Sequence, residues 1–385
     1  MFLTKEEWLA PLRETHSARD MTLLDAAYEV LKKNTVHSPD APWGDVPVIS
    51  PWSGPCAGIW NWDSAFHAMT VSRFDTPLAK SCIDAFTAFQ LPTGMFPDVI
   101  YVGGRICDNY GKPPVLPWAT LTVFRRDGDR DFLRRNYDRY AKNASFWEEN
   151  RCDRGLFFYS AQQHPEADHY LHPRWESGWD NSPRWDEFPI VDLWAIDLNC
   201  YMVMFYRAMA EMADVLGEAR QGWDSKAAAL AGRIEETLFD AAQASYADRN
   251  RKTGAFVSVL SPASFMPLYI EIASHERAEA MAHLAADRKK FYPGMPTVTY
   301  DCPAYSTDYW RGQTWLNVAF FAVKGLENYG FTDVAGEIRE FLLSMAYDGL
   351  DRGISENYDS VNRRGKFNNS FSWSAAFLIE FILDR

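Results

Sequence analysis

The stretch MTLLDAAYEVLKKN (21–34) carries apolar residues at i, i+3, i+4 and i+7, the period of a helix with one buried face. Asp20, just ahead of it, is the expected N-cap, because its carboxylate can accept a first-turn N–H. Outward from this segment the same period restarts near Asp63, Pro77, Pro117, Asp129, Val191, Gly217, Ser261, Glu276, Gly312, Thr332 and Phe371. Gly, Pro, Asn and Asp separate these runs and break each helix from the next. The count is about twelve helices, with strand-like alternation confined to short pieces such as 254–259. The fold class is therefore all-α. No Ser/Gly linker or low-complexity segment interrupts the pattern, so one domain over 1–385 is expected.

Composition narrows the function. The net charge of −13 argues against a nucleic-acid partner, which needs a basic field, and against an anionic membrane surface. Fifteen Trp among 385 residues exceed what a core ordinarily uses and suit a cleft that stacks flat rings on sugars. The six cysteines (Cys56, Cys82, Cys107, Cys152, Cys200, Cys302) lack the paired spacing of a zinc cage or disulfide framework. They read as reduced and mostly buried, in a cytoplasmic protein. The charged start MFLTKEEWLAPLRE has no apolar h-region, and no run reaches membrane-helix length. Oligomeric state is left open.

Four polar–aromatic clusters stand out: GIWNWDSAF (58–66), RWESGWDNSPRW (174–185), YWRGQTW (309–315) and ISENYD (354–359). Each lies in a loop entering a helix, and plainer connections alternate with them. In an up-and-down ring of helix pairs, alternate loops emerge at the same end, so the clusters should share one mouth. Acidic, aromatic-rich clusters without a cofactor motif fit glycoside cleavage, which needs two carboxyl groups and a stacking surface. Asp63, Glu176, Asp180 and Glu356 are the candidate carboxyls. The structural alternatives are a helix cap for Asp63 and an ion pair with Arg174 or Arg184 for Glu176. No P-loop, G-x-G-x-x-G, H-E-x-x-H or G-x-S-x-G is present. His164, His169 and His172 are too loosely spaced to define a metal site, and RDGDRD (126–131) reads as a helix-start turn rather than a calcium loop. Neither metal nor cofactor is expected.

In order, the segments WNWDSAF, ESGWDNSP, YWRGQTW and ENYD, supported by TGMFPD (93–98), KPP (112–114) and FSWSAAF (371–377), resemble glycoside hydrolase family 63. The likeness is nearest to its compact bacterial mannosylglycerate and glucosylglycerate hydrolases; the family 37 trehalases share part of the ESGWD pattern. The resemblance implies an (α/α)6 barrel that hydrolyses α-glucosides or α-mannosides with inversion. Carried over motif by motif, it makes Asp180 the general acid and Glu356 the general base. Asp63 holds sugar hydroxyls, and Trp60, Trp62, Trp175, Asn181, Trp310, Arg311, Gln313 and Tyr358 complete the substrate site. Gln313 departs from the family's usual YWRGP. The implied substrate is small, with glucosylglycerate and mannosylglycerate as candidates. A roof from the segment 161–175 and a cation among Arg105, Arg174 and Arg184 would receive a carboxylate leaving group.

Other readings remain. A trehalase or other neutral α-glucosidase would use the same carboxyl pair. A sugar 2-epimerase on the same toroid would instead need paired histidines, with His67 and the 164–172 group as sources. A non-catalytic sugar-binding protein would dispense with an acid–base pair.

Overall fold

The computed structural model describes residues 4–54, 57–161 and 171–384. After a short α1 (Lys5–Leu9) come α2 (Ala18–Lys33), α3 (Asn61–Val71), α4 (Thr76–Thr87), α5 (Leu116–Asp127) and α6 (Arg130–Asn150). The second half contributes α7 (Ile196–Leu216), α8 (Gln221–Thr237), α9 (Met266–Tyr269), α10 (His275–Ala286), α11 (Leu316–Asn328), α12 (Thr332–Asp348) and α13 (Ser372–Leu383). Helices α3, α5, α7, α9, α11 and α13 each pack on the next, and α13 returns to α3, which closes an inner ring. The even-numbered helices lie outside it, as α4 does on α3 and α8 on α7. This is the (α/α)6 barrel that the family resemblance implied, built from the all-α pattern of the helical repeat.

Sequence separates the two rings. Every residue of α3 is buried, as is α13 from Ser372 to Ile382, because an inner helix meets neighbours on all sides. On α8 only Ala227, Leu230 and Ile234 are buried, a single stripe at helical spacing. The centre is filled by Phe321 of α11, whose ring meets Phe66, Trp118, Tyr201, Tyr269 and Phe377. Those five rings come one each from the other inner helices. A barrel interior this wide is closed by aromatic volume, which explains part of the aromatic content.

The N-termini differ in part. Outer helices α2, α4, α6 and α10 are capped by the side chains of Ser17, Asp75, Asp129 and Ser274, whereas outer α8 and α12 have no side-chain cap. The inner helices begin after Trp60, Val115, Ala195, Phe265, Trp315 and Phe371, none of which caps with its side chain. At the start of α7 the Ile196 N–H donates instead to the Asp248 carboxylate from another segment.

Several sequence expectations need correction. The cap of α2 is Ser17, and Asp20 is a buried first-turn residue whose N–H donates to the Ser17 hydroxyl. The helix expected near Val191 starts at Ile196, after a 3-10 turn. The one near Ser261 is a 3-10 turn followed by the four residues of α9. Within 254–259 there is only a single bridge, between Arg249 and Phe256. Short strands occur elsewhere, notably a three-stranded sheet of Gly58–Trp60, Val99–Tyr101 and Ile106–Cys107. Asp129 caps α6 within RDGDRD, and Lys80 pairs with Asp127 and Asp129, so that segment is the helix-start turn expected. The five described cysteines are free, but only Cys82 and Cys200 are buried. No described helix is long and apolar enough to cross a membrane.

Candidate active site

Trp60 ends a strand of the small sheet, and α3 begins at the next residue. That junction turns Trp62 and Asp63 toward a cavity of about 580 Å³. The loop 173–186 adds Gly178, Asp180 and Asn181, the turn before α11 adds Asp308, Tyr309 and Trp310, and Glu356 comes from the segment before the Asn357–Asp359 strand. All four sequence clusters thus reach one cavity. Gly178 has φ +75°, and a Cβ there would lie 2.4 Å from the Trp62 ring, so glycine is required where the acidic loop crosses Trp62.

Asp180 and Glu356 stand on this cavity from different loops. Burial raises the Asp180 pKa, with Lys112 opposing it. Burial also pushes Glu356 up to about 7, against the Tyr309 hydroxyl, which donates to its Oε1 at 2.9 Å. Asp63 is wholly enclosed, and burial pushes it to about 8 despite Lys112. As the third residue of α3 it is not the cap of that helix. Asn181 lines the cavity while accepting from the Trp310 N–H at 2.9 Å and donating to Asp308 at 3.0 Å, which fastens the acidic loop to the Tyr309 turn. The Trp310 ring is stacked on Trp315 at 3.8 Å.

A second cavity of about 480 Å³ adjoins the first, sharing Trp60, Lys112 and Asp180 with it. Its other wall is the small sheet with Asp98, Tyr101 and Arg105, closed by Tyr110 and Trp175. Asp180 therefore sits between two chambers. A bond placed across that boundary has a protonatable carboxyl beside it, and a second carboxyl, Glu356, faces only the first chamber.

Trp175 is 42% exposed and lines the second cavity, not the first. Four other expected roles do not hold geometrically. Arg311 binds the Asn181 carbonyl and Asp186, clamping the acidic loop from behind. Gln313 donates to the Thr307 carbonyl and does not line the cavity. Tyr358 is fully buried, its hydroxyl accepting from Ser355 N–H. Arg184 is buried in ion pairs with Asp197 and Asp248, so it cannot meet a leaving group.

Glu176 is also structural, but its partner is Arg151, at 3.0 Å, with the N–H groups of Gly111 and Ser160. Arg174 lines neither cavity, whereas Arg105 lines the second. His67 is sealed in the core, and burial drops its pKa to about 3, which removes it as a proton carrier for epimerisation. His164, His169 and most of the expected roof lie outside the described residues. Sequence reasoning missed Trp52, Lys112, Asp308, Tyr309, Phe367, Asn368, Phe371 and Trp373 as cavity walls. Lys112, Tyr309, Phe371 and Trp373 lay inside the quoted motifs KPP, YWRGQTW and FSWSAAF; no motif marked the other four.

A helical toroid with paired carboxyls on an aromatic cavity defines a class, the glycoside hydrolases built on an (α/α)6 barrel. Within it, the chain belongs to the mannosylglycerate hydrolase MGH1-like glycoside hydrolase domain family, whose model matches residues 57–374. A mannosylglycerate hydrolase of Rubrobacter radiotolerans is 23% identical over 84% of this chain and 90% of its own length. Among solved structures, a GH63 mannosylglycerate hydrolase of Thermus thermophilus in complex with glucose superposes with a TM-score of 0.80. It is 22% identical and covers 94% of this chain and 100% of that one. A neutral trehalase of Saccharomyces cerevisiae gives a TM-score of 0.73 at 19% identity, over 92% of this chain and 79% of the other. The enzyme is a glycosidase.

Proposed function

We propose that this enzyme hydrolyses a small α-mannoside or α-glucoside of glycerate with inversion, using Asp180 as general acid and Glu356 as general base. One observation carries the reading: Asp180 lies on the boundary of two cavities, and Glu356 faces only one of them. The sugar occupies the first cavity against Trp62 and Trp310, with Asp63 receiving hydroxyls. The leaving group occupies the second. Asp180 protonates the glycosidic oxygen while Glu356 takes a proton from the water that attacks the opposite face of the anomeric carbon. Inverting carboxyl pairs stand roughly 6.5–9.5 Å apart to admit that water. A glycerate carboxylate needs a cation, and the second cavity offers Lys112 and Arg105. The free cysteines favour a reducing, cytoplasmic setting.

The test compares kcat/KM on mannosylglycerate, glucosylglycerate, trehalose and a maltodextrin, with proton NMR of the first product. A glycerate glycoside should lead and the β-anomer should appear first. Preference for trehalose would keep a small substrate and remove glycerate; preference for the dextrin, or initial α-anomer, would overturn the reading. Asp180→Asn and Glu356→Gln should each lose roughly 10²–10⁴-fold in kcat. Near-native turnover in either would reassign its role.

A further inference from the structure

Lys112 occupies a position that disfavours lysine twice. Its side chain is buried, only 7% of the residue being exposed, and its backbone φ is +48°, in the left-handed region that a side chain with Cβ avoids. The following Pro113 and Pro114 and the anchoring of the Gly111 N–H on Glu176 hold the turn in place. Strain of this kind persists where the surrounding structure imposes it, and it gathers at functional sites.

The surroundings show what the ammonium does. It donates to the Trp175 carbonyl at 2.5 Å, in the turn that leads to Asp180, and lies 3.6 Å from Asp98 Oδ1. It belongs to the wall common to both cavities. The groups facing it are Asp63 from α3, Asp98 and Cys107 from the small sheet, Asp180 from the acidic loop, and Tyr110 from its own turn. Glu176, beyond Asp98, is already neutralised by Arg151. Lys112 is therefore the leading counter-charge for three carboxyls, while Arg105, also on the second cavity, lies against the Tyr101 ring.

We propose that Lys112 is a positioning residue for catalysis: the counter-charge that governs how Asp63, Asp98 and Asp180 share protons, while its bond to Trp175 sets the acid between the two cavities. This rests on Asp180 being the acid. Burial pulls the ammonium toward neutrality, but the three carboxylates more than restore it, so its pKa ends above the ordinary value. In return Lys112 lowers Asp63, Asp98 and Asp180, each raised by burial. Removing the cation lets all three keep protons to higher pH. Glu356 answers to burial, Tyr309, Asn368 and Asp180, and Lys112 is not among the groups acting on it.

The experiment measures the pH profile of kcat/KM for wild type, Lys112→Met and Lys112→Arg, alongside thermal melting from pH 5 to 9. In Lys112→Met the alkaline limb should move up by roughly 1 pH unit, while the acid limb, set by Glu356, stays. Lys112→Arg keeps the charge and should hold the alkaline limb near wild type. The melting deficit of Lys112→Met should widen with pH, as the carboxyls ionise without their cation. An unmoved alkaline limb with a higher KM alone would make Lys112 a simple substrate contact and overturn the proposal. A melting deficit equal at every pH would do the same. If Lys112→Met does not fold, Lys112→Gln carries the same test with a neutral amide. Native-like turnover in Asp180→Asn would instead strike the acid assignment, and the melting comparison would still judge Lys112.

Discussion

At the scale of the residue, the same burial acts on several carboxyls and their hydrogen bonds tell them apart. Glu356 is raised to about 7 even though Tyr309 and Asn368 both pull it down. In the base role proposed for it, Glu356 works only when ionised, so kcat/KM should fall as pH drops through about 7. The Tyr309 hydroxyl stabilises the ionised form, and hydrogen bonds to charged groups are worth roughly 1.5–3 kcal/mol. Tyr309→Phe should therefore move the acid limb upward by roughly 1 unit or more, with the alkaline limb little changed. A pH profile checks it, and an acid limb that stays in place would show that Tyr309 does not tune Glu356. Tyr309 was quoted within YWRGQTW but given no role. Its role depends on a partner 47 positions away, which no local pattern reveals.

At the scale of the element, the acidic loop 173–186 consists of two short 3-10 turns, Pro173–Ser177 and Pro183–Trp185, and the connection between them, and it is held by side chains. Glu176 ties it to Arg151, Arg311 and the Trp310 N–H grip Asn181, and Arg184 is buried between Asp197 and Asp248. The last anchor also reaches the start of α7, where Asp248 accepts from the Ile196 N–H. Breaking a buried ion network by removing one partner leaves unpaired charge behind, at a cost of roughly 3–5 kcal/mol. Arg184→Met should lower the urea midpoint accordingly. Neutralising Asp197 and Asp248 as well should recover part of the loss, since the penalty belongs to the abandoned carboxylates. A triple variant no better than the single one would mean that Arg184 acts through packing on Trp179 and Trp185 instead. The clustering of WNWD, ESGWD, YWRGQTW and ENYD at one mouth was legible from alternation alone. Which of their members face inward was not: Arg311, Gln313 and Tyr358 hold the loops rather than line the cavity.

At the scale of the whole molecule, the site imposes a pH-dependent burden on stability. Asp63 has an ordinary pKa of 3.8 and about 8 in the fold, so between those values the folded state holds a proton that the unfolded chain has lost. Stability from this group is retained at acid pH and is lost as pH rises toward 8. Asp98, at about 6, and Glu356, at about 7, act in the same direction. Asp63→Asn should consequently melt above wild type at pH 8, with the gap closing toward pH 4, while turnover falls sharply. A constant gap across that range would show that the Asp63 carboxylate is not the cause. A protein that keeps such a group sacrifices stability for a polar cavity.

What the sequence by itself determined was the helical class, the order of the four loops and, through the family resemblance, the ring of helices and the two carboxyls proposed as acid and base. Each of these follows from periodicities and motifs that a few neighbouring residues carry. Only the tertiary structure decided that Phe321 closes the barrel, that Lys112 lies among three carboxyls, and that Arg184 and Glu176 are anchors. It also divided the site into two chambers, one of them walled by strands too short to leave a period in the sequence. The reason is physical: burial and charge are set by groups distant along the chain, and the same arginine is a ligand or a strut according to which carboxylates the fold brings to it.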